Sequence, residues 1–375
     1  MSWGNPTAKN KISKTALVGA TRTSLIYKQT KRDMKRIGNL FDKVISLDNL
    51  RLADMKARKG KAKSYGVKVH DQNRDANLLA LHESLENGTF KTSKYYTFTI
   101  FEPKERLIYR LPYYPDRILH HAIMNVLEPI WVSVFTKDTY SCIKKRGIHL
   151  CAKNVKRALK QDPEGTKYCL KIDVRKFYPS IDHELLKGVV RRKIKDVRLL
   201  ALLDEIIDSA EGVPIGNYLS QYFANLFLTY FDHWMKEVKG VKYYWRYADD
   251  IVVLSANKEW LHALLRDIRA YLHDNLALHV KKNYQVFPVE SRGIDFLGYV
   301  FYHTHTLLRK SIKQNLCRRV ASLNRMKNPP SKEAYKRSIC SWWGWCKYCD
   351  SINLVNKLSK TIPYEIRFNR AKCAL

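Results

Sequence analysis

The chain predicts an α+β fold in which an antiparallel sheet packs on helices. Two stretches and the pattern around them carry that prediction. In YYWRYADDIVVL, residues 243–254, aromatic and β-branched residues flank Tyr247-Ala248-Asp249-Asp250, as in two short strands joined by a tight polar turn. In KIDVRKFYPSID, residues 171–182, Cys169, Leu170 and Ile172 build an apolar approach that Asp173 interrupts. Phe177, Tyr178 and Pro179 then turn the chain toward a helix with Asp182 at its N-cap. Helical periodicity surrounds both stretches, giving a strand-helix-strand-helix succession with the hairpin at its centre.

An Asp-Asp pair in a turn ordinarily reflects turn preference alone. Adjacent carboxylates repel and are costly to bury, so they face solvent or meet a cation. Here a third carboxylate, Asp173, sits upstream in a similar setting. Two buried strands presenting Asp173 opposite Asp249 and Asp250 make a hard, all-oxygen pocket suited to Mg²⁺. Two such ions about 4 Å apart suit an in-line displacement.

Composition bounds the partner. The chain carries 68 Lys+Arg against 35 Asp+Glu, a net charge of +33, which calls for a polyanion. Ribosomal, histone-like and membrane-surface proteins share that bias, so charge names only the class. With 375 residues and 45% hydrophobic content, two or three subdomains are expected. No apolar run is long enough to span a bilayer, and no signal segment opens the chain, so no membrane partner and a cytoplasmic location are expected. Eight dispersed cysteines read as reduced thiols. Cys346 and Cys349, with Cys340 and Cys373 nearby, lack the second well-spaced pair of a zinc site and read as structural.

Taken in order, residues 1–37 form a basic extension, and KQTKRDMKR at 28–36 suits either a solvated helix face or nucleic-acid contact. Leu40, Phe41, Val44, Ile45, Leu47, Leu50 and Ala53 recur at helical spacing and predict a helix over 38–58, ending in the basic loop KARKGKAK at 56–63. A second helix is expected over 72–86, with Leu78, Leu79 and Leu81 facing a core and Asn87-Gly88 as its stop. Residues 95–117 read as strand-turn-strand, turning at Glu102-Pro103-Lys104-Glu105. Lys104, Arg106 and Arg110 on it are either the wet face of a hairpin or a cation fork for a triphosphate. Further helices are expected over 118–135, from Arg146 to about 161, and near 182–192, 198–209, 217–238 and 258–278. His120 and His121 read as packing or surface residues, since no third ligand stands at a diagnostic distance. Glu211–Gly216 is a loop, and Phe223, Leu226, Phe227, Tyr230 and Trp234 mark an amphipathic helix after it. A short strand at 284–289, GIDFLGYVFY at 293–302 and a basic helical region from 311 complete the chain, the last with the aromatic SWWGWCKYC at 341–349.

YADD at 247–250, with Asp173 in KIDVRKFY, resembles the two catalytic motifs of reverse transcriptases. NLFDKVISLDNL resembles the fingers region of bacterial intron-type enzymes, LPYYPDRILHHAIMNVLEPI their second block, and GIDFLGYV their primer-grip turn. The matches run in order from about 38 to 350. Ile215-Gly216-Asn217-Tyr218-Leu219-Ser220-Gln221 departs from the Pro-Gln-Gly of intron-encoded enzymes and resembles the IGxxxSQ block of diversity-generating retroelements. A VTG signature of retron enzymes does not follow YADD.

The resemblance implies a right-hand polymerase, with fingers over 38–165, palm over 166–305 and thumb over 306–375, and no DNA-binding or endonuclease domain after the short thumb. It implies RNA-directed DNA synthesis with two Mg²⁺ ions, adenine misreading of a template-repeat RNA, and cDNA that diversifies a target gene. The implied partners are template RNA, the RNA–DNA hybrid, dNTPs and a small, basic, oligomeric accessory protein. Asp173, Asp249 and Asp250 are the implied metal carboxylates, and Tyr178 the aromatic gate against a ribose 2′-hydroxyl. Arg110, Lys104 and Arg106 fall on the fingers hairpin, with Arg110 favoured for the triphosphate. Lys282 falls near the leaving pyrophosphate, with Lys281 competing. Ile215, Gly216, Ser220 and Gln221 fall beside the templating base or incoming nucleotide, and Phe296, Leu297 and Gly298 in the primer grip. The cysteine and tryptophan cluster at 341–349 departs from the family's thumb pattern. Rival readings are a group II intron-like or abortive-infection-type reverse transcriptase and an inactive RNA-binding scaffold.

Overall fold

The computed structural model describes residues 35–101 and 105–365. Most of the basic run at 28–36, together with Lys104 and Cys373, lies outside the described residues. The fold is α+β, with antiparallel sheets packed against helices.

Four helices come first: α1 (Phe41–Ile45), α2 (Leu47–Ala57), α3 (Tyr65–Gln72) and α4 (Arg74–Glu86). The one helix expected over 38–58 is two. The backbone leaves helical geometry at Ser46, whose hydroxyl accepts from the Asn49 amide and starts α2. Helix α3 had no counterpart in the sequence pattern, because it buries only Val67 and His70. In α4, Leu78 and Leu81 are buried but Leu79 is 46% exposed, being one step off the apolar face.

Strands β1 (Tyr96–Ile100) and β2 (Arg106–Arg110) form an antiparallel hairpin. Then come α5 (Ile118–Val132), α6 (Ile148–Gln161), β3 (Tyr168–Asp173), α7 (His183–Arg191), α8 (Val197–Ile207), α9 (Tyr218–Phe227) and α10 (Thr229–His233). Asp182 caps α7, accepting from the Leu185 amide at 2.9 Å. The helix expected over 217–238 is broken at Leu228 and closes in a π turn over Trp234–Val238. Nor is α9 amphipathic: from Leu219 to Phe227 only Gln221 escapes burial. Next are β4 (Tyr243–Tyr247), β5 (Asp250–Ser255), α11 (Lys258–Leu276), β6 (Gln285–Pro288) and α12 (Val289–Arg292). The chain continues through β7 (Ile294–Phe296), β8 (Tyr299–Phe301), β9 (Thr306–Leu308), α13 (Lys310–Asn324), α14 (Lys332–Cys346) and α15 (Ile352–Ser359).

The central sheet runs β4-β5-β3-β6, every pair antiparallel. Side chains alternate across it and so feed two cores. Leu170, Ile172, Tyr244, Ile251 and Val253 pack with helices α1–α5 and α7–α11. Cys169, Trp245, Val252, Leu254 and Phe287 pack with α6, the β7-β8-β9 sheet and the last three helices. Cys346 and Cys349 are buried in the second core; the Cys349 thiol donates to the Trp345 and Cys346 carbonyls, and the Ser351 hydroxyl donates to the Cys346 carbonyl. Among the described residues, no helix is long and apolar enough to cross a membrane.

Candidate active site

The three aspartates meet because of strand register. Asp173 ends β3 directly opposite Asp250, the first residue of β5, and Asp249 lies in the adjoining β4–β5 turn. That turn places Ala248 at φ +54, a left-handed conformation costing a residue with a Cβ about 1–2 kcal/mol. Burial, and then Asp173, pushes the Asp249 carboxyl above its ordinary range. Burial likewise raises Asp250 to about 6, with Lys171 pulling it down and Asp173 pushing it up. The Oδ1 atom of Asp250 is buried without a hydrogen-bond partner.

Two lysines supply positive charge. Lys281, brought in by a bond from its amide to the Asp173 carbonyl (2.8 Å), sets its ammonium 2.6 Å from Asp173 Oδ1. Lys171 stands 3.8 Å from Asp250 Oδ2. Lys282, the neighbour favoured on sequence, is exposed. Among the described residues, no group of three or more His, Cys, Asp or Glu side chains is arranged to hold a metal ion by itself. The donors nonetheless suit Mg²⁺, which binds through one or two carboxylates and completes its shell with water and substrate phosphates. The unpartnered Asp250 oxygen and the elevated carboxyls are what a bound cation would satisfy.

Of the other sequence candidates, Arg110 and Gly216 line an open groove of about 1280 Å³ between α3, the β1–β2 hairpin and the start of α9. Arg110 lines it with Lys61, Lys63, Tyr96, Phe98 and Arg117. Arg106 is exposed at the far end of β2, opposite Ile100. The loop before α9 is tied to the hairpin: the Tyr109 amide donates to the Ile215 carbonyl at 2.8 Å. Gly216, at φ +126, lies so close that a Cβ would stand 2.3 Å from the Tyr109 carbonyl oxygen. Ser220 is buried beside His120, while Gln221 is exposed. Tyr178 is half-buried, and burial raises its hydroxyl, with Cys142 and Asp249 adding to the effect. Phe177 beside it points into the core at 3% exposure. Phe296 and Leu297 are buried, and Leu297-Gly298 form the β7–β8 turn at φ +54 and +81. Trp345 of α14 covers that turn, its ring 2.6 Å from where a Cβ on Gly298 would lie. The unusual tryptophan cluster therefore docks the last helices on this turn.

Among the buried polar groups that were not anticipated, one pair adjoins the carboxylate turn. Arg246 of β4 is fully buried and paired with the equally buried Asp232 of α10, Nε to Oδ1 at 2.7 Å and Nη2 to Oδ2 at 2.6 Å. The available sign was its place in the strand, two residues after Tyr244 on the core face.

The reverse transcriptase (RNA-dependent DNA polymerase) family model matches residues 102–301, more than half of the chain. Protein YkfC of Escherichia coli (strain K12) is 26% identical over 257 residues, covering 57% of this chain and 66% of that protein. Group II intron-encoded protein LtrA of Lactococcus lactis subsp. cremoris is 24% identical over 170 residues, covering 42% of this chain and 28% of that protein. The chain thus spans less than two thirds of the length of either relative. Among solved structures, apo telomerase from Candida tropicalis aligns over 73% of this chain and 60% of that chain, at 12% identity and a TM-score of 0.43. With its aspartates in register across β3 and β5, this chain belongs to the reverse transcriptase (RNA-dependent DNA polymerase) family.

Proposed function

We propose that the protein is an active RNA-directed DNA polymerase of the group II intron-like kind. The observation that carries this reading is the register setting Asp173 across from Asp250, with Asp249 in the adjoining turn. When bound by these carboxylates, Mg²⁺ would supply activation of a primer 3′-hydroxyl and charge stabilisation at the leaving pyrophosphate. Fingers span 38–165, palm 166–305 and thumb 306–375 in this reading. Arg110, with Arg106 and Lys104, serves the triphosphate, and Lys281 or Lys282 the pyrophosphate. The turn of Phe296, Leu297 and Gly298 holds the primer end. The test is primer extension on an RNA template with dNTPs and Mg²⁺. Full-length cDNA is expected; RNA binding without any extension would instead support a binding-only scaffold.

A narrower reading has the enzyme misread template adenines, helped by a small basic accessory protein, to diversify a target gene. It rests on the resemblance of IGNYLSQ at 215–221, and the likeness to an intron-encoded protein supports the broader reading instead. Tenfold in error corresponds to about 1.4 kcal/mol, so one loosened contact near the templating base suffices. Under this reading, cDNA copied from an RNA with all four bases carries errors concentrated opposite adenine. Uniform, low error with and without the accessory protein rejects diversification and leaves the polymerase intact.

Tyr178 is proposed as the gate against ribonucleotides, since it stands near Asp249 while Phe177 is committed to the core. Tyr178→Val is expected to lower discrimination against rNTPs at least about tenfold in single-turnover assays, with a smaller loss in dNTP rate. Unchanged discrimination would place the gate elsewhere.

A further inference from the structure

We propose that Arg246 is a positioning residue for the carboxylate turn: its buried guanidinium, oriented by Asp232, clamps the carbonyl of Ala248 and so holds Asp249 and Asp250 in register. The proposal rests on the polymerase reading for its effect on rate, and on geometry alone for its effect on the turn.

The clamp is built from both sides. Asp232 receives two bonds from Arg246 and two more, from the Tyr244 hydroxyl at 2.5 Å and the Thr139 hydroxyl at 2.8 Å. With four donors on it, the carboxylate is fixed, and the planar guanidinium is fixed in turn. Its remaining nitrogen, Nη1, donates to the Ala248 carbonyl at 3.0 Å and reaches the Asn225 side-chain oxygen at 3.3 Å. The Arg246 backbone is held as well. Its amide donates to the Asp138 carbonyl at 2.9 Å, and its carbonyl accepts from the Tyr140 amide at 3.1 Å, so segment 138–140 flanks β4 on its outer side.

What the clamp grips is the one alanine of the turn, held left-handed at φ +54. Such a conformation persists in a residue with a Cβ only where its surroundings over-determine it. A bond from a buried, oriented cation to that residue's own carbonyl is such a determinant. Neutralising Asp232 needs only the Nε and Nη2 side of the guanidinium; the side aimed at the turn serves no charge balance. A lysine offers a point charge without the planar fork and cannot make both sets of contacts.

Removing Arg246 alone strands a buried carboxylate, so the informative variant is Arg246→Met with Asp232→Asn. It removes both charges and keeps an acceptor for one of the Tyr244 and Thr139 hydroxyls, while the asparagine NH2 can donate to the other. The rate at saturating dNTP is expected to fall about 30-fold or more, with KM for dNTP within about threefold. Adding Ala248→Gly, which takes the left-handed conformation without a Cβ penalty, should return about tenfold of that loss. Independently of activity, amide exchange at Asp250 and Ile251 should accelerate about tenfold or more in the R246M/D232N protein, while Val253 in the middle of β5 stays protected. Unchanged exchange at the turn overturns the proposal, as does a wild-type rate in the folded double variant or failure of A248G to restore rate. If the wild-type protein extends no primer, the polymerase reading falls and exchange at the turn alone decides for or against the clamp.

Discussion

Asp250→Asn is expected to abolish Mg²⁺-dependent cDNA synthesis, by at least about a thousandfold, and at the same time to stabilise the protein measured in chelator. The two effects share one cause. Burial holds the Asp250 carboxyl at about 6 in the folded chain, above its ordinary value of 3.8. The folded state therefore binds this proton more tightly than the unfolded state does. Stability associated with the group is full below about pH 4 and is lost as pH rises through 6. Asparagine carries no charge to desolvate, so the variant and the wild type should melt alike at pH 4, and the variant should melt higher by pH 8. Thermal melts at the two pH values, beside primer extension, check both halves. Asp249→Ala should be equally inactive. Near-wild-type synthesis by either variant would remove these carboxylates from the chemistry, and a midpoint that falls at pH 8 would point to damage to the fold.

Asp232→Ala is expected to destabilise the protein by about 3–5 kcal/mol, because it leaves Arg246 charged, buried and unpaired. Against a typical total of about 5–15 kcal/mol, that is enough to lower the urea midpoint severely or prevent recovery of folded protein. Adding Arg246→Met to Asp232→Ala removes the stranded charge without refilling the space at 232 and should recover part of the loss, which a cavity effect would not allow. Glu184→Ala is the control: its bridge to Lys187 joins an 83% exposed carboxylate and should contribute less than about 1 kcal/mol. A D232A protein with a wild-type midpoint would contradict the buried pair.

The hairpin at 243–254 and the strand ending at Asp173 were legible in the sequence because alternation and turn composition are local signals. Their register was less so, yet apolar residues on both faces of both strands leave few alignments that bury them all. Arg246 was opaque for the opposite reason. Its partner lies on α10, and a charge pair between a strand and a helix has no periodicity. Gly216 was singled out, but its contact with Tyr109 belongs to packing between segments far apart in the chain. That Lys281 rather than Lys282 meets the Asp173 carboxylate follows from the pairing of Val174 with Val280, which carries residue 281 past Asp173. Helix α3 and strand β9 were missed because one buries two side chains and the other is three residues long.

The tie between β2 and the loop before α9 also bears on how this surface can drift over generations. Ile215 contributes its carbonyl, which every amino acid has, so its side chain can change in single steps without loosening the tie. Gly216 has no such latitude, because any side chain there meets the Tyr109 carbonyl and an unfavourable backbone angle together. A lineage can thus vary residue 215 while 216 and the path of β2 stay locked to each other. Variation should accumulate beside the glycine, and the two distant segments should be inherited as a matched set.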